Sequence, residues 1–178
     1  NRYSRMPLIS ASGISGDMTY PGWINLTRSR PMDKQDIRDF RRWHVDAAKR
    51  SKSAGFDIIY IYAGMNFGPY QFLLPWLNKR TDEYGGSLEN RVRLTREIIE
   101  EMKDAVGDTC AVALRFSTDE LLQIPSESCE SEAHEVISML SEVPDLWDVK
   151  SSSWTAETAS ARFSEQGAQE PINSFVKP

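Results

Sequence analysis

Apolar residues recur at helical spacing through Ile37, Phe40, Trp43 or His44, Ala47 and Ala48, which predicts a helix with one buried face. Asp33 stands where an N-cap is needed, and Gly55 closes the helix. The run FDIIYIYAG (56–64) follows directly. Its β-branched and aromatic residues predict a strand of the parallel kind, buried on both faces. Ser87 caps a second helix in which Leu88, Val92, Ile98, Ile99, Met102 and Val106 share a face and Gly107 ends it. CAVALRF (110–116) reads as the next strand, residues 131–143 as a third helix, and LWDVKSS (146–152) as a third strand.

Helix and strand alternating in units of about 40 residues mean parallel βα units. No GxGxxG follows a strand, so an open dinucleotide-binding sheet lacks its main support. A segment of a closed (β/α)8 barrel is the better-supported expectation. A complete barrel takes ~250 residues; this chain has 178. Residues 1–31 read as a loop region and 32–178 as successive βα units of one domain. The chain opens on Asn1 and ends on Pro178 without the look of natural termini, so it reads as a fragment. The stretch from Met65 to about Gly86 is long for a strand-to-helix connection and reads as a functional loop, too aromatic for disorder.

Composition narrows the function. A net charge of −5 and a pI near 5.1 argue against a nucleic-acid partner, which calls for a basic face. No apolar run reaches a membrane span and no signal-peptide pattern opens the chain. The two cysteines, Cys110 and Cys129, lack metal-ligand spacing and read as reduced thiols of a cytoplasmic protein. No metal site is expected. His44 and His134 fall within helices, away from the strand ends, and read as packing or surface residues.

The segment QFLLPWLNKRTDEYGGSLENRVRL (71–94) strongly resembles the Old Yellow Enzyme family of FMN-dependent barrel oxidoreductases. The likeness extends over MDKQDIRDF, VDAAKRSKSAGFDIIYIY, ALRF, DLWDV and ARFSEQG, and within the family it is most similar to the trimethylamine dehydrogenase branch. The resemblance implies a partial (β/α)8 barrel, running roughly from the third helix to the helix after strand six. Read physically, NKRTDEYGGSLENR is a stiff polar strap. Arg80 and Asp82 flank a turn, the Gly85–Gly86 pair permits positive φ, and Ser87 caps the helix behind. The strap shapes the barrel mouth, whereas chemistry belongs at the carboxyl ends of the strands.

At those ends the resemblance assigns roles. Tyr62 and Met65 stand where the family's ene-reductases keep a carbonyl-binding His-x-x-Asn or His-x-x-His pair. In the amine dehydrogenase branch Tyr62 matches a tyrosine, but Met65 replaces its partner histidine and becomes a pocket wall. Phe67 stands where the ene-reductases keep a proton-donating tyrosine, and it has no proton to give. Arg115 closes an apolar strand and matches a basic residue set against the flavin pyrimidine edge; a surface salt bridge is its plainer reading. In SSSWTAETASARF (151–163), Trp154 matches an aromatic wall of the amine pocket, whose face attracts alkylated ammonium. Glu157 matches the aspartate of that branch's catalytic Tyr-His-Asp set; an exposed loop carboxylate is the alternative. Tyr62 and Glu157 are the catalytic candidates, Arg115 the cofactor ligand, and Met65, Phe67 and Trp154 the pocket.

The implied reaction is oxidative N-demethylation of a small methylated amine by hydride transfer to flavin N5, with FMN as cofactor. A 4Fe-4S cluster, where the branch carries one, would bind outside this chain. The electron acceptor and self-association of the full-length protein stay open. Two alternatives stand beside this reading: an NAD(P)H-dependent ene- or 2,4-dienoyl-reductase of the same family, and a catalytically silent barrel fragment.

Overall fold

The computed structural model describes residues 8–14, 29–65, 67–127, 130–150 and 164–176. Two short strands, β1 (Leu8–Ser10) and β2 (Ser29–Pro31), pair in parallel. They lie in the region expected to be loop. Three-residue strands are too short to show a period of two, so the sequence could not reveal them. Helix α1 (Lys34–Ser53) follows, and Asp33 and Asp36 form a reciprocal capping box at its start. Ile37 and Ala48 of α1 are buried, but Trp43 is 50% exposed. Of the paired candidates Trp43 and His44, His44 is the one turned in, with its ring against Phe40.

The main sheet holds β3 (Ile58–Ala63), β4 (Ala111–Ser117) and β5 (Leu146–Lys150), all parallel with β4 central. Parallel neighbours need long crossovers. These contain α3 (Leu88–Val106) between β3 and β4, and α4 (Glu132–Leu140) between β4 and β5. A short helix α5 (Glu170–Asn173) comes last. Ile59, Ile61, Val112, Leu114 and Phe116 join one core with Ile37, Val92, Ile98, Ile99 and Met102. Trp147 stacks edge-on against Phe116 at 5.6 Å.

Strand β3 is not buried on both faces as its composition suggested: Ile58 and Tyr60 are about half exposed. They point away from the helix layer, to the side that a closed barrel turns inward. The chain is a segment of a (β/α)8 barrel, and the side chains of its own three strands do not fill that interior.

The long connection after β3 is not an irregular loop. It contains α2 (Gly68–Leu73), which carries Pro69 in its first turn, where a missing backbone N–H breaks no helical bond. Tyr70, Phe72, Leu73 and Leu74 are fully buried, so this segment is core.

The strap beyond it is a polar clamp. Asn78 donates to the carbonyls of Phe72 and Tyr84 at 2.7 and 2.8 Å and accepts from the Arg80 amide. Arg80 donates to the carbonyls of Ala11 and Met32 and pairs with Asp82, joining the strap to the β1–β2 pair. Its guanidinium holds the Asp82 carboxyl below the usual carboxylate range. Gly85 is required for space, since a Cβ there would stand 2.3 Å from the Arg80 carbonyl oxygen. Arg91, 4% exposed, forms a forked pair with Glu132 at 2.6 and 2.9 Å and donates to the Leu73 carbonyl. It therefore links α2, α3 and α4.

Two predictions test these ties. In the full-length protein, Arg91→Met costs about 3 kcal/mol by urea denaturation, because Glu132 and the Leu73 carbonyl lose their buried partner. Asp36 is held at about 2, first by the hydrogen bond from Arg30 and then by the capping bond at Asp33, against the opposing effect of burial. A depressed folded value adds stability that is full above the unfolded pKa of about 3.9 and is lost as pH falls towards about 2. Asp36→Asn therefore lowers the urea midpoint at pH 7, and the gap from the parent protein closes between about pH 4 and pH 2.

Candidate active site

The register of the three strands places Tyr62 beside Arg115 and Arg115 beside Asp148 on one rung. Side chains alternate across a strand, so these three share the inward face. Lys150 lies two residues beyond Asp148 on that same face, beside Ser117. All four residues stand towards the carboxyl ends of parallel strands, where barrels of this kind place their chemistry.

Arg115 donates to Asp148 at 2.8 Å, with side chains 38% and 29% exposed. Its guanidinium carbon lies 5.8 Å from the centre of the Tyr62 ring. The salt bridge anticipated as its plainer reading is thus present, but it lies on the inward face rather than on the outer helical surface.

The Tyr62 hydroxyl donates to the Met65 sulfur at 2.7 Å. Met65 is buried and has φ of 51°, the left-handed region that costs a side-chain-bearing residue energy. Gly64, just before it, passes so close to β4 that a Cβ would come within 2.3 Å of the Ser117 hydroxyl. This tight turn brings Met65 back over Tyr62. Phe67 is 45% exposed and packs its ring 4.9 Å from that of Tyr62. Tyr62, Met65, Phe67 and Arg115 are therefore neighbours.

Sequence reading missed Lys150. The residue is 3% exposed, and its ammonium lies 3.0 Å from both the Tyr62 hydroxyl and the Met65 sulfur. A lysine closing the apolar strand LWDVK deserved the same question as Arg115 closing AVALR, because burying either cation is costly without partners. Trp154, Glu157 and Cys129 lie outside the described residues. Cys110 is buried with a free thiol. His134 sits on α4 against Phe175, away from this cluster.

Residues 12–177 match the NADH:flavin oxidoreductase / NADH oxidase family. The chain belongs to that family. Its sequence is 34% identical over 148 residues to dimethylamine dehydrogenase of Hyphomicrobium sp. (strain x), covering 82% of this chain and 20% of that protein. Its fold is similar to that of 6-hydroxypseudooxynicotine amine oxidase from Pseudomonas geniculata N1, with TM-score 0.77 and 46% identity over 94% of this chain and 27% of that one. It is likewise similar to histamine dehydrogenase from Rhizobium sp. 4-9, with TM-score 0.82 and 40% identity over 98% of this chain and 25% of that one. The chain thus spans about a fifth to a quarter of these relatives' lengths. Among the described residues no cluster of metal-ligating side chains occurs and no helix is long and apolar enough to cross a membrane.

Proposed function

We propose that this chain is the substrate-facing part of an FMN-dependent oxidoreductase that dehydrogenates a small methylated amine. The observation that carries the reading is the inward rung of Tyr62, Arg115 and Asp148 at the strand ends, in a chain 46% and 40% identical to proteins named for amine oxidation.

The residues present fit FMN. Arg115 offers a fixed positive charge on the inward face, held by Asp148. A guanidinium there suits the pyrimidine edge of the flavin, where negative charge collects on reduction. FMN, when bound, supplies the acceptor for a hydride from the carbon next to the amine nitrogen. Tyr62, Met65 and Phe67 form one wall that excludes water and orients the amine. Trp154 enters from the sequence alone, as an aromatic face for an alkylated nitrogen, and Glu157 as the carboxylate that tunes the amine's charge. Loss of that hydride would convert the amine to an iminium, and water would then cleave its carbon–nitrogen bond to give formaldehyde and the demethylated amine.

The same wall disfavours enone reduction. Phe67 has no proton to deliver, and Met65 has only a thioether where a carbonyl oxygen needs a donor.

Arg115→Met in the full-length protein lowers the flavin's reduction potential and slows its reduction by amine, as measured by equilibrium dye titration and rapid mixing. An unchanged potential would place Arg115 away from the flavin.

Anaerobic mixing of the oxidised protein with trimethylamine, dimethylglycine or an N-methylated imino acid bleaches the flavin, while cyclohexenone with NADPH turns over poorly. Trp154→Ala weakens amine binding by up to ~2 kcal/mol. Brisk enone turnover with no bleaching by any amine would replace this reading with that of a reductase.

A further inference from the structure

Lys150 is unusual in its surroundings. Its side chain is nearly removed from solvent, at the end of a strand whose other inward residues are Leu146 and Asp148. A buried ammonium costs several kcal/mol unless its protons find acceptors, and a methionine or leucine would fill the same space without that cost. Two of the acceptors it finds are the Tyr62 oxygen and the Met65 sulfur, each 3.0 Å away. Its nitrogen also lies 5.4 Å from the centre of the Tyr62 ring.

The direction of these bonds follows from chemistry. An ammonium can only donate, so the Tyr62 oxygen accepts from Lys150. The Tyr62 proton is then the one that points at the Met65 sulfur, 2.7 Å away. Thioether sulfur is a weak acceptor with no proton to exchange. Of the two groups bonded to the Tyr62 hydroxyl, only Lys150 can exchange a proton with it. The left-handed turn at Met65, φ 51°, keeps the sulfur in place.

We propose that Lys150 is a positioning residue for Tyr62: it holds the phenol oxygen as an acceptor and turns the phenol proton onto Met65, so that the hydroxyl keeps one orientation in the pocket. This rests on the reading of the inward strand ends as the substrate site. Among the described residues, the charged groups facing Tyr62 from the packed elements are Lys150 on β5 and Arg115 on β4, with Asp148 on β5 bound to Arg115.

The test uses full-length, flavin-loaded protein carrying Lys150→Met, Lys150→Gln, Lys150→Arg or Tyr62→Phe. The first readout needs no substrate. The protein is labelled at tyrosine Cζ with the NMR-active carbon isotope, its spectrum is taken at neutral pH, and the signal missing in Tyr62→Phe is assigned to Tyr62. Removing the charged donor from the phenol oxygen moves this signal in Lys150→Met and Lys150→Gln. Lys150→Arg leaves it close to its position in the parent protein, since a charged donor is kept. The glutamine variant retains a donor, so it answers even where methionine upsets packing.

The second readout is the pH profile of flavin reduction by an amine from the panel. It changes shape in both uncharged variants, with the rate near neutral pH down about tenfold or more, and arginine restores it. An unmoved Tyr62 signal in Lys150→Gln overturns the proposal and leaves Lys150 a packing residue. If no amine reduces the flavin, the functional reading fails, while the NMR result still decides the role of Lys150.

Discussion

Parallel pairing in one register across three strands is the constraint from which the site follows. Tyr62, Arg115 and Asp148 come from segments far apart in sequence, yet they occupy a single rung. A slip of one residue in β4 would carry Arg115 to the helix-covered face and bring Leu114 or Phe116 inward. The apolar alternation of β4, with Val112, Leu114 and Phe116 wholly buried, makes that slip prohibitively costly. Hydrophobic burial on one face thus positions charge on the other.

The polar strap secures the layer around this sheet. Asn78, Arg80 and Arg91 bond mainly to backbone carbonyls and to one carboxylate each for the two arginines. Such bonds tie together segments that apolar packing alone would leave free to slide. Gly85 lets the chain pass against Arg80. The strap is therefore a brace: Arg80 ties it to the β1–β2 pair, and Arg91 ties α3 to α2 and α4.

Charge gathers on the inward face at the strand ends. Two cations, Arg115 and Lys150, flank one tyrosine ring, while Met65 and Phe67 close its other sides without a proton donor. The arginine is steadied by a carboxylate and the lysine is steered onto the phenol.

Much was legible along the chain. The spacing of Ile37 and Ala48, and of Val92, Ile98, Ile99 and Met102, determined which helix faces are buried, and the apolar runs located all three strands of the main sheet. Arg115 stood out because a cation ending an apolar strand needs a partner. These features are local, since each helix or strand reports the burial of its own face through its own periodicity. The β1–β2 pair and α2 were hidden because three- to six-residue elements carry too few periods to read. Lys150 was hidden for a different reason: its meaning lies in contact with Tyr62, 88 residues away. Only the lateral order of the strands and their register bring those two together, and no pattern within either segment encodes that distance.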